Sequence, residues 1–234
     1  MENELDNIKK QIKLTTDNNG LINKFIVTDR IFYHYFSDII AFLESSYKKD
    51  IEIYIQSRAD ILNFKFDEMK EILNRISDKN IKIYVYLVGF ENFSQNILDI
   101  LNKNITVGEI IRCIENLIYL EDRYPGTFLA RTGSHGFIMF TPWTTLDDLK
   151  RNIHYIKKYD FRRFSSNYDE RYLRLTPDIP LYYKAKEEGL IIDEKNYSGN
   201  AQKRGYVLDY KWKFIDKNVE KYSEYLKSRK TRSF

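Results

Sequence analysis

The chain has 234 residues, within range of one large α/β domain or two small ones, and its 43% of apolar residues suffice for a sizeable core. Its 38 basic and 34 acidic side chains leave a net charge of only +4, too little to indicate nucleic acid as a partner. The single cysteine, Cys113, excludes a disulfide within the chain and a zinc or iron–sulfur site built from several of its cysteines.

The first ten residues are charged and lack the apolar segment of a signal peptide. No apolar run approaches the about 20 residues that a membrane helix needs. Because a single cysteine also suits a reducing compartment, we expect a cytoplasmic protein that does not contact a membrane.

Alternating or continuous apolar runs predict strands, and apolar residues three or four positions apart predict helices. Residues 1–20 are a polar N-terminal segment that ends in a turn-forming Asp-Asn-Asn-Gly cluster. Beyond it, strands and helices alternate about five times. The predicted strands are 24–28, 51–56, 81–88, 137–140 and 161–164, and the predicted helices are 31–47, 67–76, 94–101, 107–124 and 146–158.

Threonines are predicted to begin two of these helices. Thr106 is an N-cap candidate, and Glu109, three residues later, completes a capping box. Thr144 or Thr145 caps helix 146–158.

Repeated βα units predict an α/β fold with a parallel sheet and right-handed crossovers. Such a sheet opens as a doubly wound fold or curls into a partial (β/α) barrel. In both architectures, polar side chains at the carboxyl ends of the strands converge on the binding site. The candidates by this rule are Thr28, Asp29, Gln56 to Arg58, Gly89, Glu91, Thr141 and Ser165 to Asn167.

The βα rhythm fades in the last third of the chain. We therefore place a barrel-like domain at 21–190 and a helical and irregular C-terminal extension with a basic tail at 191–234. The elements predicted in this last third are a helix over 181–188, a late strand over 206–215 and a helix over 218–228.

The sharpest local signal is the Gly-Phe-Glu turn that follows the strand 81–88. Gly89 lets the backbone turn tightly and approach a ligand, and the Glu91 carboxylate suits ribose hydroxyls or an amine. Ser94 follows, and Lys103 lies 12 residues beyond Glu91, where it would neutralise a ligand carboxylate as a point charge. The structural alternative is that Lys103 caps the C-terminus of the preceding helix.

These residues resemble a known family. The segments 87–95 (LVGFENFSQ) and 97–106 (ILDILNKNIT) are similar to the middle of a radical SAM domain. In that family a strand ends in Gly-x-Glu or Gly-x-Gln, followed by Ser, an apolar pair, a Lys or Arg, and a Thr that opens a helix. The segment 137–152 (FIMFTPWTTLDDLKRN) resembles a later strand and helix of the same fold. Asp29 resembles the Asp at the end of an early strand in cobalamin-linked members, and the resemblance covers roughly 22–190.

The resemblance implies a partial parallel (β/α) barrel that binds S-adenosylmethionine (SAM). By position, Glu91 would face the ribose of SAM, Lys103 its carboxylate, and Asp29 the methionyl or substrate end. Gly89, Ser94 and Thr141 complete the candidate cofactor-binding residues.

The chain departs from the family at the iron–sulfur cluster. Family members hold a [4Fe–4S] cluster through CxxxCxxC and cleave SAM to a 5′-deoxyadenosyl radical, and this sequence has no such motif. The resemblance therefore implies a truncated, split or degenerate member that retains part of the SAM and substrate pocket and is inactive as an isolated chain. A partner chain would supply the cluster loop, and the substrate would be a small molecule or a peptide.

Three single residues have structural alternatives to function. Cys113 lies in mid-helix among isoleucines and is expected to be a buried apolar residue. His135 precedes the strand 137–140, away from a site at the carboxyl ends, so a structural role is expected. Trp143 either stacks on an adenine or substrate ring or packs at the strand–helix junction.

Basic residues among tyrosines form a second candidate surface near the C-terminus. Acidic neighbours dilute this charge, so a solvated face is expected and nucleic acid is not an expected partner. The alternative function is a non-catalytic module that contacts RNA or a peptide through this surface. The basic residues are Arg162, Arg163, Arg171, Arg174, Lys203, Arg204 and the tail 227–232.

Overall fold

A computed structural model describes residues 2–19, 23–27, 34–46, 50–193 and 210–231. Thr28, Asp29, Lys203 and Arg204 lie outside these residues, as does the start of the predicted late strand. The chain divides into two compact units, one formed by 1–89 with 108–135 and the other by 90–107 with 136–234.

The first unit contains a parallel sheet in the order β1-β2-β3-β4. Its register pairs Val27 with Ile55, Ile55 with Val85, and Ile83 with Phe128. A further short strand, β5, pairs with β3. The strands of this sheet are β1 (Lys24–Val27), β2 (Ile51–Arg58), β3 (Ile81–Glu91) and β4 (Phe128–Leu129), whereas β5 (Gly136–Phe137) belongs to the second unit.

Helices connect and flank these parallel strands, which confirms the predicted α/β fold, consistent with a partial βα barrel. Their apolar residues recur at helical spacing, as in α4, which buries Met69, Ile72, Leu73 and Ile76 on one face. The helices of the first unit are α1 (Glu2–Asn19), α2 (Phe36–Ser46), α3 (Ala59–Phe64), α4 (Phe66–Ile76) and α6 (Val107–Arg123).

The second unit is built mainly from helices around aromatic side chains. The rings of Phe90, Phe93, Phe137 and Phe161 lie 5.0–5.6 Å apart in several pairs, and all four are buried. A small antiparallel pair, β6 and β7, lies farther along the chain. The elements of this unit are α5 (Gln95–Ile100), α7 (Leu146–Lys158), α8 (Pro180–Glu187), β6 (Ile191–Asp193), β7 (Lys211–Trp212) and α9 (Lys217–Thr231).

The predicted strand at 161–164 is wrong. Phe161–Arg163 is a turn of 3-10 helix, entered through Asp160 in the left-handed conformation at φ 45°. Phe161 and Phe164 are both fully buried. Two apolar residues three positions apart reach one core from a 3-10 turn, whereas alternation along a strand would point them to opposite faces.

Three further segments differ from their predictions. The run 137–140 joins the sheet only at its start, and Phe140 forms an isolated parallel bridge with Tyr172. The late strand is limited to Lys211–Trp212 within the described residues. The polar N-terminal segment contains the long helix α1, which its weak apolar pattern did not reveal.

None of the helices in the described parts of the chain combines the length and the apolar character that crossing a membrane requires. The predicted boundaries at 20 and 190 stay a prediction, since the two compact units interleave along the sequence.

Candidate functional site

The end of β3 positions the main candidate carboxylate. Gly89 lies inside the strand, opposite Arg58, and the left-handed residue is Glu91 at φ 64°. The turn predicted at Gly89 therefore falls two residues later. A left-handed conformation is strained for a non-glycine residue without local side-chain support, and such strain gathers at functional sites. The Glu91 carbonyl accepts a hydrogen bond from the Ile138 amide at 2.6 Å, which holds this conformation.

The two residues expected to contact SAM are bonded to each other. Lys103 Nζ lies 2.9 Å from Glu91 Oε1, and the two side chains are 35% and 19% exposed. Half-exposed ion pairs stabilise a protein by only about 0–1 kcal/mol, because water screens their attraction. A ligand that offers both groups new partners can therefore separate them at small cost.

The loop that carries Lys103 has its own backbone support. Asn102 and Asn104, on either side of it, are both left-handed at φ 51°, a conformation that asparagine tolerates better than most residues. The Lys103 amide donates to the Leu98 carbonyl at 3.2 Å, which ends α5. Lys103 thus follows the C-terminus of α5, as the structural alternative expected, and also reaches Glu91.

The side chain of Gln95 forms two hydrogen bonds to the backbone that follows Lys103. Its side-chain oxygen accepts from the Val107 amide at 3.0 Å, and its amide nitrogen donates to the Ile105 carbonyl at 3.3 Å. The first turn of α5 is thereby tied to the start of α6. These bonds and the backbone bond to Leu98 fix the position of the loop that carries Lys103.

Ser94 is buried, and its hydroxyl donates to Asp148 in a short hydrogen bond. It occupies the N-cap position of α5 without a side-chain cap bond. Its own amide donates to Asn92 Oδ1 at 2.8 Å, and the amide of Phe93 donates to Asn152 Oδ1 at 2.8 Å. These bonds give Ser94 a role in shaping the loop that follows Glu91.

Thr141 is also fully buried. Its amide donates to Thr144 Oγ1 at 2.9 Å, and the two hydroxyl oxygens lie 3.0 Å apart. Both polar groups of Thr141 therefore have partners within a tight turn. Its assignment to the cofactor-binding residues stays a prediction.

The sequence did not reveal the polar residues that hold this loop, namely Asn92, Asp148 and Asn152. All three are buried, and Asn92 Nδ2 donates to the Ile138 carbonyl at 2.7 Å. Their partners lie about 50 positions away in sequence, so spacing carries no signal of them. The one local signal was an Asp three residues after Thr145, where a capping box places an acceptor.

Two of the single residues pack as structural groups. Cys113 is fully buried in α6, as predicted, and burial raises the pKa of its thiol well above the usual range. Trp143 is 6% exposed within an apolar cluster, and its indole N–H donates to Glu188. Of the two alternatives for Trp143, packing is therefore the one realised.

Iron–sulfur ligation does not fit the donor groups of this chain. The only thiol is that of Cys113, and a cluster requires several thiolates. Among the described residues, no group of three or more His, Cys, Asp or Glu side chains is placed to hold a metal ion.

No protein-family model and no curated protein matches the chain. Three solved structures of the cobalamin-dependent S-adenosylmethionine radical enzyme OxsB match it, with TM-scores of 0.60 to 0.61 and 15–16% identity. They are an apo form, a form with aqua-cobalamin, and a form with aqua-cobalamin and S-adenosylmethionine. The chain has the fold of a radical SAM-related domain.

The alignment to OxsB covers 92% of this chain and 35% of the OxsB chain. The chain thus spans about a third of the length of this radical SAM enzyme. The resemblance noted in the motifs around Glu91 is confirmed at the level of the fold.

Proposed function

We propose that this radical SAM-related domain retains part of a SAM and substrate pocket at the end of β3, and that it lacks its own cluster ligands. The observation that carries the proposal is the Glu91–Lys103 pair, held by left-handed residues at the end of a parallel strand. Ligands of parallel α/β folds bind at this end of the strands. The likeness to OxsB supports a fold of this kind.

The two charges of the pair match two parts of SAM. The Glu91 carboxylate is an acceptor for both ribose hydroxyls, and the Lys103 ammonium is a partner for the methionyl carboxylate. In the free domain each charge partly neutralises the other. Binding would replace one ion pair by two charge-assisted contacts, which are stronger than neutral hydrogen bonds.

SAM, when bound, supplies the sulfonium that a reduced cluster cleaves in radical SAM enzymes. The residues of this chain would bind and orient SAM, and its single thiol cannot hold the cluster that radical cleavage requires. Cluster ligands would come from outside these 234 residues, on a partner chain. The substrate class, a small molecule or a peptide, and a cytoplasmic location in keeping with the single cysteine are parts of the same proposal.

Calorimetric titration of the domain with SAM tests the pocket. The wild-type domain is expected to bind SAM, and Glu91→Gln and Lys103→Met are each expected to weaken binding about tenfold or more, because each leaves one part of SAM without its charged partner. S-adenosylhomocysteine, which keeps the ribose and the carboxylate, should bind in the wild type and lose affinity in the same two variants.

Lys150→Met is the matched control, because it also removes an exposed lysine that bonds a carboxylate in the same unit, Asp147 at 2.9 Å. It should leave SAM binding unchanged. No heat with SAM at millimolar concentration, or equal loss in all three variants, would contradict the proposal.

A further inference from the structure

A cavity of about 330 Å³ opens in the second unit, beside the pair of strands β6 and β7. This volume lies at the lower end of the range for small-ligand pockets, about 300–1,000 Å³. The residues that line it belong to the segment 172–174, to β6 and β7 with their neighbours, and to α9. They are Tyr172, Leu173, Arg174, Ile192, Tyr210, Lys211, Trp212, Phe214 and Lys227.

Aromatic rings form the walls of this cavity. Tyr172, Trp212 and Phe214 are half-buried, with Trp212 centred 6.1 Å from Tyr172 and 4.9 Å from Phe214. The ring of Trp212 meets its two neighbours at an angle and is only half-buried, so it offers a surface on which a planar ligand can stack.

Contacts with neighbouring residues hold the walls of the cavity in place. The Trp212 indole N–H donates to the Leu173 carbonyl at 2.9 Å. The Tyr172 hydroxyl lies 2.6 Å from Ser223 Oγ on α9, and its ring stacks on Phe140 at 4.9 Å. A preorganised wall loses little conformational entropy when a ligand binds.

Basic side chains surround the aromatic walls. Arg174, Lys211 and Lys227 are exposed, and Lys227 Nζ lies 4.6 Å from the centre of the Tyr172 ring. The described residues that line the cavity include no Asp or Glu. The cavity thus combines a stacking surface with an excess of positive charge, a combination that proteins use to bind nucleotides.

We propose that this cavity binds a nucleotide, with the base on the aromatic walls and the phosphate at Arg174, Lys211 and Lys227. An acidic peptide would satisfy the charges and leave the aromatic walls without a stacking partner. SAM carries a sulfonium and an ammonium against a single carboxylate, so its net positive charge is repelled by the basic side chains here. Neither Glu91 nor Lys103 lines this cavity, so the inference goes beyond the function proposed above.

Calorimetric titrations with AMP, ribose 5-phosphate and a tetraglutamate peptide test the ligand class. AMP should bind about tenfold more tightly than ribose 5-phosphate, because only AMP stacks, and the peptide should bind no better than ribose 5-phosphate. Titration with pentaadenylate distinguishes a free nucleotide from a nucleotide within a single strand. Binding tighter than that of AMP by more than about tenfold indicates a single strand, and similar binding indicates a free nucleotide.

Two variants address the two halves of the cavity. Trp212→Leu should lower the affinity for AMP to that for ribose 5-phosphate, and the circular dichroism spectrum of this variant should be unchanged. Lys227 is exposed, so Lys227→Gln should have little effect on folding. This variant should weaken AMP binding about fivefold and lower the salt dependence of that binding. Lys221→Gln removes an exposed charge from the same helix outside the cavity lining and should leave AMP binding unchanged.

Trp212→Leu and Lys227→Gln should leave SAM binding unchanged, which separates this test from that of the SAM pocket. The inference is overturned if AMP and ribose 5-phosphate bind equally, if the tetraglutamate peptide binds as tightly as AMP, or if Lys221→Gln weakens AMP as much as Lys227→Gln. It is also overturned if none of these ligands binds.

Discussion

At the scale of single residues, His135 is fully buried in the first unit, and both of its ring nitrogens form hydrogen bonds. Its Nδ1 accepts from the Val88 amide at 2.9 Å, so the proton lies on Nε2, which donates to the Ala130 carbonyl. The neutral ring thus ties the end of β3 to the segment after β4. His135 therefore has the structural role that the sequence predicted.

Burial lowers the pKa of His135 to about 4, and this outweighs the Ala130 carbonyl and the Glu121 carboxylate, which both raise it. The unfolded chain binds the proton more tightly, at a pKa of about 6.5. The contribution of His135 to the free energy of unfolding is therefore fully present above about pH 6.5. It is lost as the pH falls toward 4, by roughly 3 kcal/mol.

Urea denaturation at pH 7 and pH 4.5 tests the protonation of His135. Wild type should lose more stability over this interval than His135→Gln, by about 2–3 kcal/mol, because the variant has no imidazole to protonate. His154→Gln, at an exposed position on α7, should keep the wild-type pH dependence. An equal pH dependence in wild type and His135→Gln would rule out this account.

At the scale of elements, the start of α7 joins a local cap to a distant loop. Thr145 and Asp148 form a complete capping box, with the Thr145 amide 2.9 Å from Asp148 Oδ2. The other oxygen of the same buried carboxylate accepts from the Ser94 hydroxyl. One side chain thus starts a helix and positions the residues that follow Glu91.

Asp148→Asn should destabilise the protein by about 2–3 kcal/mol, because it removes a charged acceptor from a buried network. Thr145→Ala should cost about 1 kcal/mol, the usual effect of losing an N-cap. Asp147→Asn, at a neighbouring and 79% exposed position, should change stability by less than about 0.5 kcal/mol. Urea denaturation at pH 7 measures all three, and an Asp148→Asn effect no larger than that of Asp147→Asn would contradict the network.

At the scale of the whole molecule, the short strand β1 ends the parallel sheet as far as the described residues show it. Within the described residues, β1 pairs with β2 alone, and Ile26 on β1 is 63% exposed. An unpaired strand edge with an apolar side chain is a surface on which another chain can add a strand.

The open edge predicts self-association in the absence of a partner. Ile26→Lys should reduce dimers or larger species at about 100 μM, because edge lysines oppose strand pairing. Leu14→Lys is the control, since it replaces another apolar residue, 54% exposed, that lies on a helix. Sedimentation velocity measures the outcome, and a monomeric wild type or equal association in both variants would contradict it.

Much of the fold and part of the candidate site could be predicted from sequence. The alternation in β2, the helical spacing in α4 and the cap at Thr145 are local patterns, so they reveal elements whose residues are near neighbours in the chain. Glu91 and Lys103 lie 12 positions apart and follow a local motif, and they meet at 2.9 Å. The strand predicted at Phe161 to Phe164 was wrong because a short apolar run does not distinguish a strand from a 3-10 turn.

By itself, the sequence determined the class of fold, the place of Glu91 at a strand end, and the absence of thiolates for a cluster, because residue types and local periods carry these. Only the tertiary structure decided that Glu91 and Lys103 are bonded, that Asp148 and Asn152 hold the intervening loop, and that aromatic and basic side chains between 172 and 227 surround one cavity. These contacts join residues far apart in sequence, and no local pattern encodes which distant side chains meet when the chain folds.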